Sequence, residues 1–469
     1  MYQINFDKPC RVYFMGIGGI SMSGLAEILM KEGFTVTGSD MRESDLTRHL
    51  EAAGARIYYT QKASNIDPEA VDVVVYTAAI HEDHPELAEV IRLGIPRLTR
   101  AELLGQIMRN YKTAIAVSGT HGKTTTTSMI TEVMLRAEQD PTITVGGMLD
   151  CIHGNFHLGE SDCFITEACE YTNSFLSFYP TVEAVLNIEA DHLDFFKDID
   201  DIRHSFRLFM EKLPAGGILV INSEIDRWQE LTAGLACEVV TFGLENSGAE
   251  YIACGLTYDD KAHASFDLMH REEGGYRKIT SIHMNVPGVH NVKNALACAA
   301  IALEEGITPE DIAAGLAGFG NAHRRFEYKG KIGGVTIVDD YAHHPQEIEA
   351  TLAAAREMRT GRIWCAFQSH TYTRTKALLD DFARSLSAAD EVLLAPIYAA
   401  RETDTLGVSS QDIADRIEKL GTKAHSFDSF DEIETFILTN CNPGDLVITM
   451  GAGDIYKVGE HLLGNSSAK

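Results

Sequence analysis

The sequence predicts an α/β fold in three domains, and three observations carry that expectation. Apolar runs of strand length alternate with helical patterns almost throughout, the mark of largely parallel sheets. The alternation restarts twice, near residues 111 and 326, and two segments carry a glycine-rich turn between a strand and a helix. At roughly 100 to 200 residues per domain, a chain of 469 residues has room for three cores.

The first segment, 1–110, runs from the apolar Val12-Tyr13-Phe14-Met15 through Thr35-Val36-Thr37 and Val73-Val74-Val75-Tyr76 to a helix over 100–108. The second, 111–325, opens with Thr113-Ala114-Ile115-Ala116-Val117, continues through Phe164-Ile165-Thr166 and a strand over 182–188, and closes with two helices between Asn291 and Phe319. Inside it, 238–285 holds short β-like runs broken by Gly and charged turns, expected as a small antiparallel appendage. The third, 326–469, repeats strand then helix around 335–339, 363–367, 392–395 and 446–450.

Composition narrows the class. With 45% hydrophobic and 23% charged residues, the chain reads as ordinary globular protein. No apolar run reaches the roughly 20 residues that span a bilayer, and the start MYQINFDKPC has no leader pattern, so a cytoplasmic protein is expected. Nine cysteines without a C-x-x-C pair argue against a disulfide framework or cysteine metal site and are expected to be reduced and mostly buried. A net charge of -28 opposes binding to nucleic acid or anionic membranes, which requires Lys and Arg to neutralise phosphate.

The strongest local signal is Ser118-Gly119-Thr120-His121-Gly122-Lys123-Thr124-Thr125, after an apolar strand and before a helix. Glycines let backbone N–H groups approach phosphate oxygens, Lys123 adds a point charge, and the Thr124 hydroxyl is placed to reach Mg2+. Valine at 117 departs from the G-x-x-x-x-G-K-[ST] pattern, so this loop is a shorter variant starting at Gly119. Near the N-terminus, Gly16-Ile17-Gly18-Gly19-Ile20-Ser21-Met22-Ser23-Gly24 also joins strand to helix, with Asp40 ending the next strand. Alone it reads as a Rossmann-like dinucleotide turn; Ser21 in place of the third glycine leaves a general pyrophosphate-binding turn.

Glu170 and His192 follow two further apolar strands, at the strand ends where parallel sheets bind ligands. Hard Mg2+ prefers oxygen donors, so Thr124 with Glu170 is the natural first pair and His192 a further ligand. His290-Asn291-Val292-Lys293-Asn294 begins an alanine-rich helix, where its polar groups can also serve as caps. Asp339-Asp340-Tyr341-Ala342-His343-His344-Pro345 gathers titratable groups at a strand end; adjacent histidines rarely converge on one metal, which speaks against zinc.

With these motifs in this order, the chain resembles the Mur ligases over nearly its whole length. The resemblance implies a Rossmann-like UDP-binding domain, a central P-loop ATPase-like domain and a C-terminal Rossmann-like domain closing over ATP and amino acid. It assigns Gly16, Gly18, Gly19, Ser21, Met22, Ser23 and Asp40 to a UDP-sugar. ATP falls to Gly119, Thr120, His121, Gly122, Lys123, Thr124, Thr125, His290, Asn291, Asn294, Arg325 and Asp340. Magnesium falls to Thr124, Glu170 and His192, and the amino acid to Tyr341, His343 and Arg374. Lys123, His192, His343 and Arg374 are the implied catalytic set.

The implied reaction joins L-alanine to UDP-N-acetylmuramate at the expense of ATP. Two departures bear on it: Phe367-Gln368-Ser369-His370-Thr371 has Ser369 and Thr371 where the family commonly has proline and arginine, and Cys169, Tyr171 and Thr172 flank Glu170 where many members are acidic. These keep a related ligase that attaches a preformed peptide in view. An NAD-dependent oxidoreductase with a fused ATPase and a nucleotide switch are the readings from other classes.

Overall fold

The computed structural model describes residues 2–77, 80–193, 195–320, 323–400, 402–404 and 406–464. It divides into two compact units, residues 1–251 with 297–312, and residues 252–296 with 313–469.

The first unit holds two sheets. One is five-stranded and parallel, in the order Arg56–Tyr58, Thr35–Ser39, Arg11–Met15, Val73–Tyr76, Arg97–Thr99. Tyr13, Phe14 and Met15 are buried without alternation because helices cover both faces of such a sheet. The helix Ile20–Lys31 follows the first strand, and Arg100–Met108 follows the last.

The second sheet of this unit places Thr113–Ser118 between Val182–Val185 and Cys163–Ala168, parallel to both. Ile218–Asn222 and Glu238–Leu244 extend it in parallel on the Val182–Val185 side, and Thr142–Leu149 extends it on the other. Both sheets share one core, in which Leu25, Leu104 and Ile107 join Phe175, Phe178, Phe206 and Phe209. Helix Arg100–Met108 lies so close to the turn Tyr171–Ser177 that a Cβ on Gly105 would come within 1.8 Å of the Ser177 carbonyl oxygen.

The second unit contains the strands His263–Glu272 and Gly275–Pro287, paired antiparallel, and a six-stranded sheet. That sheet runs Glu327–Ile332, Val335–Asp340, Leu446–Met450, Ile363–Phe367, Glu391–Leu394, Lys423–Ser426; only its first pair is antiparallel.

Three expectations need correction. The antiparallel appendage does not begin at 238, because Glu238–Leu244 pairs in parallel with Ile218–Asn222 and its side chains belong to that sheet. The strand expected over 182–188 ends at Val185, where the Leu186 N–H still bonds the Ser118 carbonyl and the chain then turns around the glycine loop. All nine cysteines are free, but only Cys298 and Cys365 are buried; Cys10, Cys163, Cys237 and Cys441 sit at element ends, half-exposed. No helix among the described residues is long and apolar enough to cross a membrane.

Candidate active site

The phosphate loop links the strand Thr113–Ser118 to the helix Lys123–Arg136. Gly119 has φ +141° and Gly122 φ +85°, conformations that disfavour a side chain, and a Cβ on Gly119 would lie 3.0 Å from Leu186 Cβ. Gly122 caps the helix without a side chain, which leaves the N-terminal N–H groups of the helix open to an anion.

The segment after Val185 holds this loop in shape. Asn187 Oδ1 accepts from the His121 N–H at 2.8 Å while its Nδ2 donates to the His121 carbonyl at 3.0 Å. The Thr120 N–H donates to the Asn187 carbonyl, and Thr120 Oγ1 accepts from the Glu189 N–H at 2.9 Å. Sequence reading gave Asn187 no role; an amide side chain directly after an apolar strand was the available signal.

Lys123 Nζ donates to the carbonyls of Gly119 (2.6 Å) and Thr120 (3.1 Å) and to Glu170 Oε2 (2.9 Å). Burial works against its charge, yet the Glu170 carboxylate outweighs it and holds the lysine above its ordinary value. Glu170 is only 2% exposed, and its Oε1 accepts no hydrogen bond among the described residues. His192 Nε2 lies 3.8 Å from that oxygen, with its ring tilted by 33° against that of Tyr171 at 4.5 Å between centroids. The structure thus brings together Lys123, Glu170 and His192, with Thr124 next along the helix.

This set suits a hard divalent cation in part. A buried carboxylate oxygen without a donor is the kind of group a cation satisfies, and Thr124 adds a hydroxyl. Among the described residues no three His, Cys, Asp or Glu converge as a self-sufficient metal site, so the remaining ligands have to be phosphate oxygens or water.

In the N-terminal turn, Gly16 has φ +75°, and the Gly16 and Ile17 N–H groups both donate to the Ser39 carbonyl. Asp40 accepts from the Gly18 N–H at 2.9 Å and the Met41 N–H at 2.7 Å, so both carboxylate oxygens order backbone. Gly19 and Ser21 stand at the helix start, Ser21 exposed, whereas Met22 lies in the core and Ser23 is buried with its hydroxyl on the Ile20 carbonyl. Beneath the turn, fully buried Glu86 accepts from Tyr13, Ser39 and Asn65. This network, which sequence reading missed, ties Ser39 to the sheet.

The other predicted residues lie in the second unit. His290 is pushed down to about 4 by burial, with Lys293 adding to it. Asn291 donates to the Pro287 carbonyl and accepts from Asn294, so these amides also brace the helix start. Arg324 is fixed by Asp339 and the carbonyls of Gly451 and Gly453. Its neighbour Arg325 has no such partner among the described residues and lies over the Tyr341 ring at 5.3 Å.

Asp340 accepts from the Phe326 and Ala342 N–H groups, and burial pushes it up to about 6 against the opposing pull of Arg325. Tyr341, His343, His370 and Tyr398 form a chain of ring contacts. Burial, with the nearby His343 and Arg374, pushes His370 down to about 4. His370 was overlooked in favour of Arg374 four residues on.

A glycine loop shaped for phosphate, with a lysine, a buried carboxylate and a histidine converging beside it, defines a P-loop nucleotide-dependent enzyme of α/β architecture. Models of the Mur ligase family, catalytic domain (residues 11–112), the Mur ligase middle domain (117–302) and the Mur ligase, glutamate ligase domain (324–453) match in succession. The chain belongs to the Mur ligase family. It is 57% identical over 463 residues to the UDP-N-acetylmuramate–L-alanine ligase of Agathobacter rectalis, covering 99% of this chain and 100% of the relative. Identity to the enzyme of that name from Lachnospira eligens is 54% with the same coverage. Among solved structures, the UDP-N-acetylmuramate-alanine ligase of Thermotoga maritima superposes with a TM-score of 0.76 at 28% identity, covering 97% of this chain and 98% of that one. A murein peptide ligase from Psychrobacter arcticus shares the fold, with a TM-score of 0.67 at 23% identity over 98% of this chain and all of that one.

Proposed function

We propose that the chain is an ATP-dependent ligase that joins L-alanine to the lactyl carboxylate of UDP-N-acetylmuramate, releasing ADP and phosphate, in the cytoplasmic synthesis of peptidoglycan precursors. The observation that carries this reading is 57% identity along the full length of a relative bearing that name, with the phosphate-loop set Lys123, Glu170 and His192 assembled.

A carboxylate is a poor electrophile and needs activation. A carboxylate oxygen attacks the γ-phosphorus of ATP, the bond to the β-phosphate oxygen breaks, and ADP leaves. The alanine amine then attacks the acyl carbon, inorganic phosphate departs, and the amine gives up a proton. The loop Gly119 to Thr125 holds the phosphates through the backbone N–H groups at the start of its helix, and Lys123 offsets charge on the transferring phosphoryl group. Thr124, Glu170 and His192 would hold magnesium, which supplies further charge neutralisation on the phosphate oxygens. Gly16, Gly18, Gly19 and Ser21 hold the uridine diphosphate group; Asp40 acts on it through the turn it orders. Tyr341, His343 and Arg374 face the amino acid, and His290, Asn291, Asn294, Arg325 and Asp340 face the nucleotide.

The test is phosphate release from ATP and Mg2+ with UDP-N-acetylmuramate and either L-alanine, glycine, L-serine or a short peptide, with mass detection of product. A product heavier by one alanyl residue is expected. Product with peptide alone would transfer the chain to the peptide-ligase reading, and phosphate release independent of both substrates would make it a simple ATPase.

A further inference from the structure

Arg100 opens the helix Arg100–Met108, directly after the edge strand Arg97–Thr99 of the first sheet. It is half-buried, and among the described residues it makes no hydrogen bond or ion pair. The nearest carboxylate in sequence, Glu102, is taken: it accepts from the N–H and hydroxyl of Thr99 in a capping box. Burial pulls the guanidinium below its ordinary value, and the ionisable side chain that acts on it is Cys169, the residue before Glu170.

An arginine left without a carboxylate is unexpected in a chain with 68 acidic and 40 basic residues. A guanidinium stays charged at any physiological pH and carries five donors, so desolvating it without a partner is costly. Among the described residues, the other half-buried arginines lacking an ion pair or side-chain hydrogen bond are Arg325 and Arg374, assigned above to ATP and to the amino acid.

The position narrows which anion Arg100 meets. It follows the C-terminal end of a strand parallel to the one that feeds the glycine turn, so it opens on the edge of the sheet where that turn lies. Within the same compact unit, Cys169 and Glu170 follow the strand beside the phosphate-loop strand, and the helix that Arg100 opens packs at Gly105 against the turn Tyr171–Ser177 directly after them. Arg100 therefore lies on the side of the first sheet that carries the turn assigned to the sugar nucleotide, and the residue that acts on it neighbours the carboxylate–lysine pair assigned to phosphoryl transfer. We infer that Arg100 binds the carboxylate of the sugar-nucleotide substrate and holds it for activation, a role resting on the ligase reading above. Two parallel N–H donors of a guanidinium match a carboxylate as a lysine does not.

The experiment titrates the full chain and its Arg100→Ala and Arg100→Lys variants with UDP-N-acetylmuramate. UDP-N-acetylglucosamine, which lacks the lactyl carboxylate, is read by competition, and an ATP analogue controls for folding. The parent should prefer the acid, and Arg100→Ala should lower affinity for it by about 10- to 100-fold while leaving the other two ligands unchanged. Arg100→Lys should recover only part of the loss. A variant that keeps the preference, or weakens both sugar nucleotides equally, overturns the assignment, as does a parent with no preference. A parent that fails to bind UDP-N-acetylmuramate at all refutes the ligase reading itself.

Discussion

Lys123 has three N–H donors and uses all of them, on two loop carbonyls and on Glu170. Lys123→Met is therefore expected to lower ATP-dependent turnover at least about 100-fold and to leave Glu170 buried without its counter-charge; steady-state rates and thermal melting check the two effects separately. Asp340 gives a pH signature. Its folded value of about 6 lies above the ordinary 3.8 because burial penalises the charged form, so the folded state holds the proton more tightly. Stability from this group is full below about pH 4 and is lost as pH rises through about 6, a change on the order of 3 kcal/mol. Asp340→Asn should flatten that part of the stability curve in denaturant titrations between pH 4 and 7. The residues legible in the sequence were those whose chemistry is fixed by a local motif, such as Lys123 and Glu170. Arg100, Glu86 and His370 were not, because their meaning lies in partners or neighbours supplied by distant segments.

The loop after Val185 shows how an element acts on one it never touches in sequence. Asn187→Ala removes both side-chain bonds to the His121 backbone and leaves a half-buried carbonyl and N–H to find new partners. The expected cost is about 1–3 kcal/mol, with ATP affinity falling about tenfold; unchanged affinity in a nucleotide titration would remove Asn187 from the site. Elements themselves were well readable: Arg100–Met108, Val73–Tyr76, Ile363–Phe367 and Leu446–Met450 fall at the boundaries expected from their apolar runs. Glu238–Leu244 misled because a strand's partner is not written in its own residues. Its burial would fit a sheet edge or an antiparallel appendage equally well, and only the register with Ile218–Asn222 decides. The strand ending at Val185 looked longer because Leu186 and Ile188 are apolar, yet Leu186 packs beside Gly119 and Ile188 against the core outside any strand.

Across the whole molecule, the first compact unit is discontinuous: it needs residues 297–312 in addition to the first 251. Ala297 to Ala302 and Ile312 are fully buried, and Tyr251 and Thr113 bond Glu304 and Glu305 from that stretch. A chain ending at residue 251 is expected to lose the cooperative unfolding transition of the full protein in a denaturant titration, and one ending at 312 to regain part of it. Sequence reading recovered the three runs of the α/β pattern but not this interleaving, since the returning helix carries the same alanine-rich signature wherever it docks. The arrangement also sets a clock on biosynthesis. At about 5–20 residues per second, roughly 60 further residues must leave the ribosome after the 251st before the first core can close, a delay of about 3–12 s. During that interval the nascent chain displays apolar sheet surface that the residues already made cannot cover.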